Sequence, residues 1–126
     1  MNELKSNDRS LVLKISSGEK SFLFPGDLES SGEAILVRHA GGRLKSDVLL
    51  IPHHGSKSSS TLPFLQTVAP GVCIISSRES SRSGLPNFET VKRLQDIGCR
   101  ILRVDQVGAV QITVASDGLQ VKAFLE

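Results

Sequence analysis

The chain has 126 residues, a net charge of +2 and 39% hydrophobic residues, which suits one domain with a core of ordinary size and does not announce a nucleic-acid binder. Trp and Tyr are absent, so the core must rest on Leu, Ile and Val. No apolar run reaches the roughly 18 to 20 residues that span a bilayer, and the N-terminus lacks a signal-peptide apolar stretch. After a polar opening from Met1 to Arg9, Leu11 to Ile15 reads as a strand. The Ser17-Gly18 turn leads to a second run, Phe22-Leu23-Phe24, which Pro25-Gly26 stops, so the two runs form a hairpin. Leu28, Ile35, Leu36 and His39 are spaced for a helix over Leu28 to Ala40, which Gly41-Gly42 ends. Asp47 to Pro52 is a short buried strand, Thr61 to Val68 a short helix, and Val72 to Ile75 another buried strand. Asn87 caps a helix that carries Phe88, Val91, Leu94 and Ile97 along one side and stops at Gly98. Three strand-like runs close the chain: Arg100 to Val104, Ala109 to Ala115 and Gln120 to Leu125, with Asp117-Gly118 as the hairpin turn between the last two. Cys73 lies in the apolar run and reads as a buried free thiol, too far from Cys99 in sequence for a C-x-x-C motif.

Two places could carry chemistry. Asp27 follows a strand that ends in Phe24-Pro25-Gly26, which places a carboxylate at a strand's carboxyl end, either as a cap for the next helix or as a ligand. Glu29 and Glu33 fall in the first turns of that helix, where acidic residues suit its dipole and need no further role. His53-His54-Gly55-Ser56 again follows a strand. Adjacent imidazoles point in different directions, so one can bind a metal while the other meets a substrate, and the Gly55-Ser56 turn can present N–H groups to an anion. An Asp and a His pair at the ends of successive buried strands fit the rule that ligands gather at strand carboxyl ends. His39, beside Arg38 at the helix terminus, reads as structural or exposed.

Several stretches are similar to the metallo-β-lactamase-like domain of ComEC, the bacterial DNA-uptake channel protein. They are Asn7-Asp8-Arg9-Ser10-Leu11-Val12-Leu13, Phe24-Pro25-Gly26-Asp27-Leu28-Glu29 and Asp47-Val48-Leu49-Leu50-Ile51-Pro52-His53-His54-Gly55-Ser56-Lys57-Ser58-Ser59. The likeness extends to Ala69-Pro70, Gly84-Leu85-Pro86 and Gly108-Ala109-Val110, and so covers nearly the whole chain. It implies an α/β fold, the second half of an αββα sandwich with a mixed sheet and flanking helices. Residues 1–126 would then be a single partial domain, because the family's H-x-H-x-D-H motif is absent. It also implies Asp27 as a metal ligand, one histidine of the pair as another (His54 is chosen, with His53 kept open), His53 beside the scissile phosphate, and Asn7 as at most a weak ligand or a substrate contact, while the Ser56 turn is assigned to substrate binding. The metal would be zinc or manganese in the intact domain, with weak or no binding by this chain. Family members commonly carry Gly-His-Pro where this chain has Gly84-Leu85-Pro86, and leucine can neither bind metal nor hydrogen-bond a phosphate.

The expected function is therefore part of a metal-dependent phosphodiesterase or nuclease acting on DNA during uptake, inactive as this piece alone. The alternative is a non-catalytic DNA-binding or structural module of the same protein. Expected partners are DNA, the missing first half of the domain and the membrane channel, with the chain a soluble domain on the outer face of a bacterial inner membrane. Leu11 to Ile15, Val48 to Ile51 and Val72 to Ile75 read as strands buried on both faces. Without a partner sheet, one face should be apolar and exposed, so the chain should form a homodimer or fold its closing strands across that face.

Overall fold

The computed structural model of the chain describes residues 10–77 and 84–125. Five strands form one sheet in the order β1-β2-β3-β4-β5, namely Leu13–Ser17, Lys20–Phe24, Val48–Leu50, Val72–Ile75 and Arg100–Arg103. The edge strand β1 runs antiparallel to β2, and β2 to β5 are parallel to one another. Three crossover helices join the parallel strands: α1 (Ser30–Ala40), α2 (Leu62–Val68) and α3 (Phe88–Ile97). A one-turn helix α4 (Val104–Val107), not foreseen in the sequence, leads to a separate hairpin of β6 (Val110–Ala115) and β7 (Gly118–Ala123). The fold is thus mixed α/β with a mixed sheet and flanking helices. Among the described residues no helix is long and apolar enough to cross a membrane.

The period-two alternation of the strands divides the apolar residues between two faces. Leu23, Leu49, Cys73 and Ile75 are buried with Phe64, Leu65 and Val68 of α2 and Leu94 of α3 in a single cluster. Phe22, Phe24, Val48, Leu50 and Ile74 point the other way and line a cleft with Val110 and Ile112 of β6. Val110 and Ile112 of the closing hairpin therefore border the second face of the sheet. Cys73 and Cys99 are both buried and free, and the Cys99 thiol donates to the carbonyl of Leu94 at 3.4 Å.

Several boundaries and burial expectations need correction. β1 spans Leu13–Ser17 and is exposed along its whole length, with Leu13 and Ile15 each 47% exposed, so the Leu11 to Ile15 run is not buried on both faces. Its turn is Gly18-Glu19, because Ser17 pairs with Lys20. In the last hairpin Ala115 pairs with Gly118, which makes Ser116-Asp117 the turn. Helix α1 starts at Ser30, with Glu29 at its N-cap, so Asp27 does not cap it. Glu33 lies in the first turn of α1, as expected, but is fully buried. The Asn87 cap holds, with its side chain accepting from the amide of Glu89 at 2.9 Å, although Phe88 stays exposed.

Candidate functional site

Strands β2 and β3 are parallel neighbours, so the segments after them, Pro25-Gly26-Asp27 and Pro52-His53-His54, emerge side by side. The amide of His53 donates to the carbonyl of Gly26 at 3.0 Å and ties the two segments together. Gly26 takes a positive φ of 65° and packs against Ser10, whose Cβ would lie 3.1 Å from any added methyl group. Ser10 also accepts the Asp27 amide at 3.3 Å, so the residue before β1 helps to set the carboxylate. His53 and His54 both adopt left-handed backbone conformations, with φ of 51° and 54°, followed by Gly55 at 83°. Two consecutive non-glycine residues in this region cost roughly 1–3 kcal/mol each, strain that the surroundings must hold in place.

The surroundings do so from α3. The Asn87 amide donates to the Gly55 carbonyl at 2.8 Å, and Gly55 sits flush against Pro86. Thr90 Oγ1 donates to the Ser56 carbonyl at 3.1 Å, and Arg93 donates to that of Ser59 at 3.2 Å. On the α1 side, Ser59 Oγ donates to the Leu28 carbonyl. Buried Glu33 accepts the amides of Ser60 at 2.6 Å and Thr61 at 2.8 Å. Burial pushes the Glu33 carboxyl above the usual carboxylate range, against the opposing pull of those two amides and of nearby Arg93.

The turn delivers both imidazoles to carboxylates. His54 Nδ1 lies 2.6 Å from the carbonyl oxygen of Ser76, an acceptor only, so that nitrogen carries the proton. Its Nε2 then presents a lone pair in the neutral ring, 3.9 Å from Asp27 Oδ1. About half of each side chain is exposed, so the pair faces solvent. A tetrahedral ion with bonds of about 2.1 Å sets its ligands about 3.4 Å apart. Asp27 and His54 are close to that spacing and have the donor chemistry for zinc or manganese. Among the described residues no group of three or more His, Cys, Asp or Glu is placed to hold a metal, so Asp27 and His54 are two candidate donors where a metal usually takes three or four.

The second imidazole meets Glu29, with His53 Nδ1 3.8 Å from Oε1. Ser56, expected as a substrate contact, has its hydroxyl 2.9 Å from that of Ser58, which in turn donates to Glu29 Oε1 at 3.0 Å. Asn7 lies outside the described residues. Leu85, where relatives of the resembled family carry histidine, precedes the Pro86 that packs on Gly55. His39 is exposed at the far end of α1. Sequence reasoning missed Glu29, Ser58 and the Ser76 carbonyl, which enter through contacts far apart in the chain.

No family model matches the chain. It is 35% identical to competence protein ComA of Neisseria gonorrhoeae over 117 residues, 93% of this chain. This chain is a relative of bacterial competence proteins. It is also 39% identical to ComE operon protein 3 of Bacillus subtilis over 83% of its length, and 33% identical to recombination protein 2 of Haemophilus influenzae over 92%. These relationships support the ComEC resemblance. The chain spans only 17%, 13% and 14% of those three proteins, so it corresponds to one segment of much longer chains.

Proposed function

We propose that this chain supplies part of a metal-dependent phosphodiesterase site in a competence protein that takes up DNA. Asp27 and His54 are the metal ligands, His53 faces the phosphodiester, and Asn7 and Ser56 lie on the substrate side. The observation that carries the reading is the convergence of His54 Nε2 on Asp27, with the other ring nitrogen held by the Ser76 carbonyl. That is the arrangement by which metal-ligating histidines are usually oriented. A divalent ion there supplies charge neutralisation on a phosphodiester and a more acidic water. The remaining ligands come from the first half of the domain, and this chain alone does not turn over. In the whole protein the domain lies on the outer face of the inner membrane, joined to the channel.

The test is to put this chain in place of the matching segment of gonococcal competence protein ComA and to measure transformation by added DNA. Asp27→Ala and His54→Ala should each lower it on the order of 10²-fold or more, the loss expected when a ligand rather than its outer support is removed. Alanine variants that transform as well as the unaltered chimera would overturn the reading.

A further inference from the structure

The ring that does not face Asp27 lies beside a carboxylate that is itself fixed by a chain of hydrogen bonds. Glu29 Oε1 lies 3.8 Å from His53 Nδ1, a charge contact rather than a hydrogen bond, and Nδ1 is itself buried. The same oxygen accepts the Ser58 hydroxyl at 3.0 Å. Ser58 spends its only hydroxyl proton on Glu29, so it must accept from Ser56, whose hydroxyl is 2.9 Å away. Ser56 Oγ also receives the Ser58 amide at 3.3 Å, and the Ser58 carbonyl accepts the Ser30 amide at 2.7 Å, which fixes the loop against the start of α1. The proton order is thus set from end to end, Ser56 to Ser58 to Glu29, and it terminates on a carboxylate that only accepts.

We propose that Glu29 is a positioning residue: its carboxylate charge beside Nδ1 favours the Nδ1–H tautomer of His53, with Ser58 and Ser56 keeping that carboxylate in place. Any chemistry of this ring is thereby assigned to Nε2. The two imidazoles then carry the proton on the same nitrogen for different reasons, a hydrogen bond to the Ser76 carbonyl at His54 and the nearby charge of Glu29 at His53. One turn thus carries two Nε2 lone pairs, that of His54 directed toward Asp27. The sense of this arrangement rests on the reading of the site as a phosphodiesterase, but the tautomer does not.

The tautomer is read without metal or substrate, from long-range proton–nitrogen correlations of the His53 ring in the 15N-labelled chain, at a pH where the imidazoles are neutral. The unaltered chain should show His53 mainly as Nδ1–H. Glu29→Ala should lower that form severalfold toward the Nε2–H form that a free histidine favours, and leave His54 as Nδ1–H. Ser58→Ala, which keeps the carboxylate but removes its support, should give a smaller shift in the same direction. A merely structural Glu29 would not move the ratio at one ring and spare the adjacent one. His53 found as Nε2–H in the unaltered chain would overturn the proposal with no variant needed, as would an unchanged ratio in a folded Glu29→Ala chain. Failure of the transformation test would count against the phosphodiesterase and leave this result standing.

Discussion

Glu33→Ala should cost this fold about 4 kcal/mol, measured by urea denaturation, the largest loss expected from any single side chain near the site. The Glu33 carboxylate is fully buried on α1 and accepts two backbone amides, Ser60 and Thr61, from the loop that enters α2. Alanine leaves both N–H groups without that acceptor, at about 1–3 kcal/mol each, and opens a cavity beside them. It also removes the carboxylate that faces Arg93, whose Nε is buried without a hydrogen-bond partner. The loop concerned continues directly from His53-His54-Gly55-Ser56, so local loosening should reach the site before global unfolding. Glu33→Gln should cost less, because one oxygen remains to accept.

The same residue sets a pH dependence whose sign follows from its environment. Burial raises the Glu33 carboxyl above its ordinary value, so the native chain holds this proton at pH values where the unfolded chain has released it. Its contribution to stability therefore falls as pH rises from the ordinary carboxylate value through the raised one, and is level below that window. Glu33→Gln should abolish this part of the slope. An unchanged pH profile in Glu33→Gln would assign the slope to other groups.

Gly55→Ala should destabilise the chain by about 3 kcal/mol, from a left-handed backbone and a steric overlap together. The added methyl carbon would sit 2.6 Å from Pro86 Cβ and 3.1 Å from Pro86 Cα, and Gly55 has a φ of 83°. A double-mutant cycle separates the two causes. Pro86→Gly removes the nearer atom and should recover roughly 1 kcal/mol in the Gly55→Ala background, while the backbone part stays lost. Full additivity of the two substitutions would show that the overlap is absorbed elsewhere.

How much was legible in the sequence depends on which contacts are local. Asp27 and the His53-His54 pair could be singled out because each follows an apolar run closed by Pro or Gly, and parallel neighbours bring such ends together. The Asn87 and Gly98 helix boundaries were legible for the same reason, since caps act within one turn. The exposure of β1 was not. Leu11-Val12-Leu13-Lys14-Ile15 is apolar at four of five positions and reads as a buried strand, yet Lys14 reaches the Arg43 carbonyl at 2.7 Å while Leu13 and Ile15 remain exposed. The burial of Glu33 was not legible in the helical spacing of Leu28, Ile35, Leu36 and His39. The face that packs inward carries Glu33, Leu36, Val37 and Ala40, an i, i+3, i+4, i+7 pattern with a carboxylate at its first position. Glu29's link to Ser58 has no signature in spacing, because it joins residues 29 apart in sequence.

The central claim, that Asp27 and His54 together form one end of a metal site, is tested most directly by adding manganese to the 15N-labelled chain in small steps. The ion's unpaired electrons broaden nearby resonances even when binding is weak. Signals of Gly26, Asp27, His54 and Ser76 should broaden first and together, and either Asp27→Ala or His54→Ala should remove that preference. Broadening that begins instead at the other surface acids, such as Glu89, Asp96 and Asp117, with Asp27 and His54 no more affected than the rest, would contradict the account.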